Sequence, residues 1–220
     1  VRPALRAVTR TQWSGAQHLP TDRGFIVAAN HVTNFDPLTL AHFLWDNGFA
    51  PRIMAKHSLF GVPVLGHVLR GIEAIPVHRG TAAGVRSLDA AAAALARGEC
   101  VFVCPEGTLT GDEDMWPMLA KTGTARLALD TGAPLVPVAQ WGAHRVLAPR
   151  GKVLKVVPRK VVQVLAGPPL DIDDLRGTPG AAQGVTTRLM AQITDQLAQI
   201  RGEQAPHDVW DPRTKTRVAR

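Results

Sequence analysis

Residues 24–37 read Gly24-Phe25-Ile26-Val27-Ala28-Ala29-Asn30-His31-Val32-Thr33-Asn34-Phe35-Asp36-Pro37, an apolar run, a polar turn and a helix start in that order. Phe25 to Ala29 shows no alternation of apolar and polar residues, the pattern of a strand covered on both faces of a parallel sheet. Asp36 followed by Pro37 suits a helix N-cap with proline at the first helical position. His31 and Asp36 would be rotated by about 140° along a continuous helix, so they meet only if Thr33 and Asn34 make a turn. With Asp36 accepting a bond from one ring nitrogen, the other nitrogen is free to take a proton from a hydroxyl. A structural histidine beside a helix cap is the alternative reading of the same spacing.

Working outward, further β-rich runs are predicted at 52–55, 72–77, 100–103, 135–139 and 161–165. Helical periodicity separates several of them, in Val85, Leu88, Ala92 and Leu95 and again in Leu189, Ile193, Leu197 and Ile200. Strands alternating with helices predict an α/β fold, a single domain with a mainly parallel central sheet flanked by helices. In such sheets ligands bind beyond the carboxyl ends of the strands. Unusual residues stand there at four predicted ends: Asn30-His31, His78-Arg79-Gly80, Pro105-Glu106-Gly107-Thr108 and Gln140-Trp141. Arg79 beside Gly80 suits a bidentate grip on phosphate, and Glu106 between Pro105 and Gly107 suits a tight loop. A surface arginine and a plain turn are the alternatives.

Composition narrows the function classes. The net charge of +7 attracts anions, whether nucleic acid, anionic membrane or phosphorylated small molecules. The absence of tyrosine and of basic-aromatic interleaving argues against nucleic acid as a partner. The chain has no Gly-x-Ser-x-Gly elbow, no dinucleotide or P-loop glycine pattern, and no His-Glu-x-x-His helix, so an acyl-serine and a nucleotide fold both lose support. Its eight histidines lack ligand spacing, and no metal is assigned. Cys100 and Cys104 are separated by about 13 Å along a strand, too far to bridge, and are read as buried core thiols of a reducing compartment. With no secretory signal after the basic N-terminus, a cytoplasmic protein is expected.

Asn30-His31-x-x-x-x-Asp36, Ile75-Pro76-Val77-His78-Arg79-Gly80, Pro105-Glu106-Gly107-Thr108 and Leu135-Val136-Pro137-Val138, in this order, resemble the four sequence blocks of the glycerolipid acyltransferase family. Its best-known members acylate lysophosphatidic acid. The likeness runs from about Gly24 to Trp141, more loosely to the end, and includes Lys121 and Gly123. The resemblance implies that His31 acts as general base on an acceptor hydroxyl, oriented by Asp36. The hydroxyl attacks the thioester of acyl-CoA or acyl carrier protein directly, without an acyl-enzyme or a further cofactor. It also implies that Arg79, Glu106, Gly107 and Thr108 hold the glycerol phosphate, with Lys121 nearby, and that the block containing Pro137 shapes the acyl and thioester site. Two positions depart from the family pattern: His78 where an acid is common and Leu109 where an arginine is common. The lost cation at 109 implies either a different acceptor or a replacement supplied by Lys56, Lys121 or Arg126.

A lipid acceptor implies membrane access, and no apolar run reaches the ~18 residues of a spanning helix. Peripheral docking on the anionic inner face of the cell membrane is expected. The segment 1–20 is read as membrane-proximal, with Arg2, Arg6 and Arg10 on one helical face near Leu5 and Trp13. Leu59 to Leu69 is read as lining the acyl site, touching lipid or packing in the core. The acyltransferase domain is expected to span 1–202, followed by a polar, basic and mobile tail over 203–220.

Overall fold

The computed structural model describes residues 2–78 and 83–219, with Arg2 and residues 83–85 described in backbone only. In chain order the elements are α1 (Arg2–Val8), β1 (Thr9–Ser14), β2 (Phe25–Ala29), α2 (Asp36–Asp46), β3 (Arg52–Lys56), α3 (Leu65–Gly71), β4 (Ile75–Val77), α4 (Ala83–Ala96), β5 (Cys100–Val103), α5 (Gly123–Thr131), β6 (Leu135–Trp141), β7 (Lys160–Ala166), α6 (Ala181–Arg201), β8 (Asp208–Asp211) and β9 (Thr216–Ala219). Seven strands form one sheet in the order β1-β7-β6-β2-β5-β3-β4. Five run parallel; β7 turns back against β6, and β1 lies parallel to β7 at the edge. This is the mainly parallel α/β sheet expected from the alternation of elements.

β2 sits near the middle, and all five of its residues are buried because helices cover both faces. Successive side chains of a strand point to opposite faces. Phe25, Val27 and Ala29 therefore pack with Leu40, Phe43 and Leu44 of α2. Ile26 and Ala28 pack on the other side with α4, α5 and α6. The small residues of α4 allow close approach: Ala91 and Ala94 are fully buried beneath the sheet. Leu189, Ile193 and Leu197 of α6 are likewise buried, as their spacing predicts. At Gly24 the chain passes so near α4 that a Cβ would stand 2.2 Å from the Leu95 carbonyl oxygen.

Four local expectations are corrected. The N-terminal helix stops at Val8, and Thr9–Ser14 is a strand, its alternating burial matching the β-branched Thr9 and Thr11. Arg6 and Arg10 therefore do not share a helical face, and Trp13 turns inward, its Nε1 donating to Asp46 Oδ2 at 3.1 Å. The run begun at Ile72 is strand only from Ile75, since α3 extends to Gly71 and Glu73 adopts a positive φ of 51°. Cys100 is buried, and burial drives its thiol far above the usual range, whereas Cys104 is only half-buried beyond the strand end.

The basic C-terminal segment is folded rather than mobile. β8 and β9 form an antiparallel hairpin, and the Trp210 carbonyl accepts from Leu119 N at 2.9 Å. Arg217 lies 2.7 Å from Asp112, whose side chain is almost wholly buried, and Arg213 bonds to Asp211. Asp112 and Asp211 thus stand opposite Arg217 and Arg213 of the segment read as a basic tail.

Gly24→Ala is expected to destabilise the protein by about 1–3 kcal/mol, because the obstructing atoms belong to backbone and cannot rotate away. Gly61→Ala, where a Cβ meets open space, should change stability by less than about 0.5 kcal/mol. Urea unfolding of both variants checks the contrast.

Candidate active site

β2 delivers Asn30 and His31 to the carboxyl rim of the sheet, and α2 begins five residues after His31. Asn30 is buried and locked to the end of β6: its Nδ2 donates to the Gln140 carbonyl at 3.0 Å. Its Oδ1 accepts from Gln140 N at 2.8 Å, while the Gln140 side-chain amide donates to the Asn30 carbonyl at 2.9 Å. The two strand ends on either side of the rim are thereby held in one register.

From that anchor the chain turns through Thr33, whose carbonyl accepts from Asp36 N at 3.0 Å. Asp36 folds back over the turn. Its Oδ2 accepts from Val32 N at 2.5 Å and from Thr33 N at 2.8 Å, and lies 3.1 Å from His31 Nδ1. A carboxylate oxygen accepts, so this contact makes Nδ1 the proton-bearing nitrogen and leaves the lone pair on Nε2. Asp36 is nearly buried, whereas the His31 ring keeps 16% of its side chain exposed, enough for a reactant to reach. The N-cap expected at Asp36 is corrected: Phe35 takes that position and Asp36 is the first residue of α2, its carboxylate turned back to the Val32 and Thr33 amides and the His31 ring instead of capping the helix.

Glu106 occupies a different place from the one expected of a substrate grip. It is 2% exposed, and its two oxygens accept from His31 N at 2.8 Å and from Met118 N at 3.1 Å. Thr110 N in turn donates to the His31 carbonyl at 2.7 Å, so the 106–110 loop holds both backbone polar groups of His31. Burial pushes the Glu106 carboxyl up to about 8, against the pull of the two amides. Both oxygens are engaged within the protein, so Glu106 is a positioning residue for His31.

A cavity of about 180 Å³ opens beside this loop. Met54, Val77, Leu88, Val103 and Leu127 make it apolar, while Gly107 and Lys121 stand among its lining residues. Gly107 has a φ of +72° and lacks the Cβ that would meet the aliphatic part of Lys121 at 3.5 Å. Lys121 lines the cavity; Lys56 and Arg126, the other candidate replacements for the cation missing at Leu109, do not. Thr108 is exposed on the loop. Pro137 is buried within β6 opposite Ala28, and its carbonyl accepts from Gly167 N at 2.9 Å, so it supports the sheet instead of lining the cavity. Arg79 and Gly80 lie outside the described residues. His78, just before them, stacks on His57 with ring centres 4.0 Å apart.

Sequence reasoning placed His31, Asp36, Gly107 and Lys121 in a shared region and missed the structural role of Gln140. Asn30 and Gln140 are separated by 110 residues, and no local pattern announces a bond over that distance. The bond to Glu106 from Met118 was hidden for a related reason: that residue is placed by the C-terminal hairpin, through a bridge to Trp210.

A family model described as Acyltransferase matches residues 10–141, a span containing the whole of this rim. The chain belongs to the acyltransferase family. This acyltransferase is 30% identical over 185 residues to the 1-acyl-sn-glycerol-3-phosphate acyltransferase of Bacillus subtilis, covering 83% of this chain and 82% of the relative. It is also 30% identical over 138 residues to the protein of the same name from Borreliella burgdorferi, of which it spans about half, 51%. Its fold matches the crystal structure of the 1-acyl-sn-glycerophosphate (LPA) acyltransferase, PlsC, from Thermotoga maritima. The TM-score is 0.71 at 21% identity, over 93% of this chain and 78% of that one.

The raised Glu106 carboxyl carries a sign for stability. The folded state retains this proton up to about pH 8, whereas the unfolded chain releases it near pH 4.5. The folded state binds the additional proton between those values, so this group makes stability fall as pH rises from about 5 to 8. Glu106→Gln should flatten that slope in urea unfolding while lowering stability at about pH 5, since the amide nitrogen cannot accept from Met118 N; the deficit should shrink as pH rises towards 8.

Proposed function

We propose that this acyltransferase moves a fatty acyl group from acyl-CoA or acyl carrier protein to the free hydroxyl of lysophosphatidic acid, giving phosphatidic acid. The observation that carries the reading is the His31–Asp36 contact, which leaves Nε2 as a base at the rim, next to the 106–110 loop whose Gly107 borders an apolar cavity that Lys121 also lines. The acceptor O–H gives its proton to Nε2 as its oxygen attacks the thioester carbonyl carbon. The C–O bond forms, the C–S bond breaks, and the imidazolium returns the proton to the departing thiolate. Asp36 stabilises the charged ring in between.

The binding roles follow from what each group offers. The apolar cavity suits acyl chain, and Lys121 supplies charge for the acceptor phosphate, supported by Arg79 in the second block and by Thr108 on the loop. Glu106 acts at one remove, by fixing the backbone of His31. The relatives from Bacillus subtilis and Borreliella burgdorferi are named for the same acceptor, which favours it over glycerol phosphate or another lysophospholipid. Among the described residues no helix is long and apolar enough to cross a membrane. The protein works peripherally, on the inner face of the cell membrane.

Purified protein is incubated with paired acyl donors and acceptors, and products are read by mass spectrometry. Acylation of lysophosphatidic acid in preference to other acceptors is expected; transfer to another lipid with lysophosphatidic acid untouched would replace the assigned acceptor. His31→Ala should lower turnover at least ~10²-fold with the circular dichroism spectrum unchanged, the loss associated with a general base. Lys121→Ala should raise the KM for the acceptor while leaving that for the donor near its original value; the opposite pattern would assign Lys121 to the donor.

A further inference from the structure

The 145–160 segment reads Arg145-Val-Leu-Ala-Pro-Arg150-Gly-Lys152-Val153-Leu154-Lys155-Val-Val157-Pro-Arg159-Lys160 and holds six cations with no acid, in a chain whose net charge is +7. It connects β6 to β7, and because these strands are antiparallel it emerges at the carboxyl rim, the end that carries His31. Val153, Leu154 and Val157 are 73%, 55% and 85% exposed, while Arg150, Lys152, Lys155 and Arg159 are exposed beside them. Large aliphatic side chains in water are costly.

The loop is nevertheless well held. Lys155 N donates to the Val146 carbonyl at 2.7 Å, and Leu147 and Leu154 form an isolated bridge. Arg159 donates to the Thr9 carbonyl, and Thr33, two residues from His31, donates through Oγ1 to the Leu147 carbonyl at 2.6 Å. The base of the loop and the catalytic turn are thus one connected unit. On the opposite side of His31, after β3, Val62, Val64, Leu65 and Val68 are also exposed at this rim.

We propose that the 145–160 loop docks the protein on an anionic bilayer, its lysines and arginines on the headgroups and Val153, Leu154 and Val157 in the outer acyl region, with the His31 rim facing the membrane. Cations flanking exposed aliphatic residues match a surface that is charged outside and apolar beneath. Aliphatic tips offer a nucleic acid no stacking platform. The inference rests on the acceptor being a lipid, because docking at this end brings His31 to the surface where such a substrate lies.

The test is sedimentation of the full chain with vesicles of phosphatidylcholine alone or mixed equally with phosphatidylglycerol. It compares wild type with Lys152→Glu/Lys155→Glu and with Val153→Ser/Val157→Ser. Turnover is measured separately on a short-chain acceptor dissolved as monomer. Wild type should bind the anionic vesicles at least tenfold more tightly than the neutral ones, and each double variant should lose at least tenfold while soluble turnover and melting temperature stay unchanged. Equal binding by the variants, or wild type ignoring anionic vesicles, overturns the proposal; the latter with loop-dependent capture of an acidic acyl carrier protein reassigns the surface to that partner. Loop-dependent vesicle binding without turnover on any acceptor supports docking and removes the acyltransfer reading instead.

Discussion

A single carboxylate oxygen, Asp36 Oδ2, organises the candidate centre. It gathers two backbone amides and the Nδ1 of His31 within 3.1 Å, and so closes a turn that the five-residue spacing does not produce by itself. Charge-assisted bonds to a nearly buried carboxylate are strong, and replacing the group strands several donors together. The same oxygen sets the tautomer of the ring and the direction of the free nitrogen. Pro37 in the first turn of α2 and the buried face of that helix then hold the turn against the sheet.

Around this oxygen the protein builds a second layer of restraint from distant segments. Asn30 and Gln140 join the ends of β2 and β6, Glu106 and Thr110 grip the His31 backbone, and the C-terminal hairpin closes over the segment that presents Met118 to Glu106. A carboxyl pushed up to about 8 by burial is the electrostatic cost of bracing His31 from the dry side. The apolar cavity and its lysine border the same loop through Gly107, so the turn at His31 and the candidate substrate site share one structural support.

The fold was legible because buried parallel strands write themselves as continuous apolar runs. Phe25–Ala29 and Leu135–Val138 carry the pattern, and Leu189, Ile193 and Leu197 announce their helix by spacing alone. The His31–Asp36 contact was legible as well, being local. What stayed hidden is non-local or context-dependent. Arg2, Arg6 and Arg10 have helical spacing that runs into Thr9–Ser14, and the pairing of that segment with β7 makes it a strand. Glu106 reads as a loop acid until the fold brings two amides to it, and Arg217 reads as tail charge until Asp112, 105 residues away, arrives beside it.

In the proposed reaction Asp36 fixes the proton on Nδ1 and presents Nε2 of His31 as the base. Nitrogen-15 NMR of the histidine side chains, with His31 assigned by its loss in His31→Ala, reads that tautomer directly at a pH where the ring is neutral. A protonated Nδ1 and an unprotonated Nε2 are expected for His31, with the preference lost in Asp36→Ala. A proton on Nε2 in the wild-type protein would contradict it.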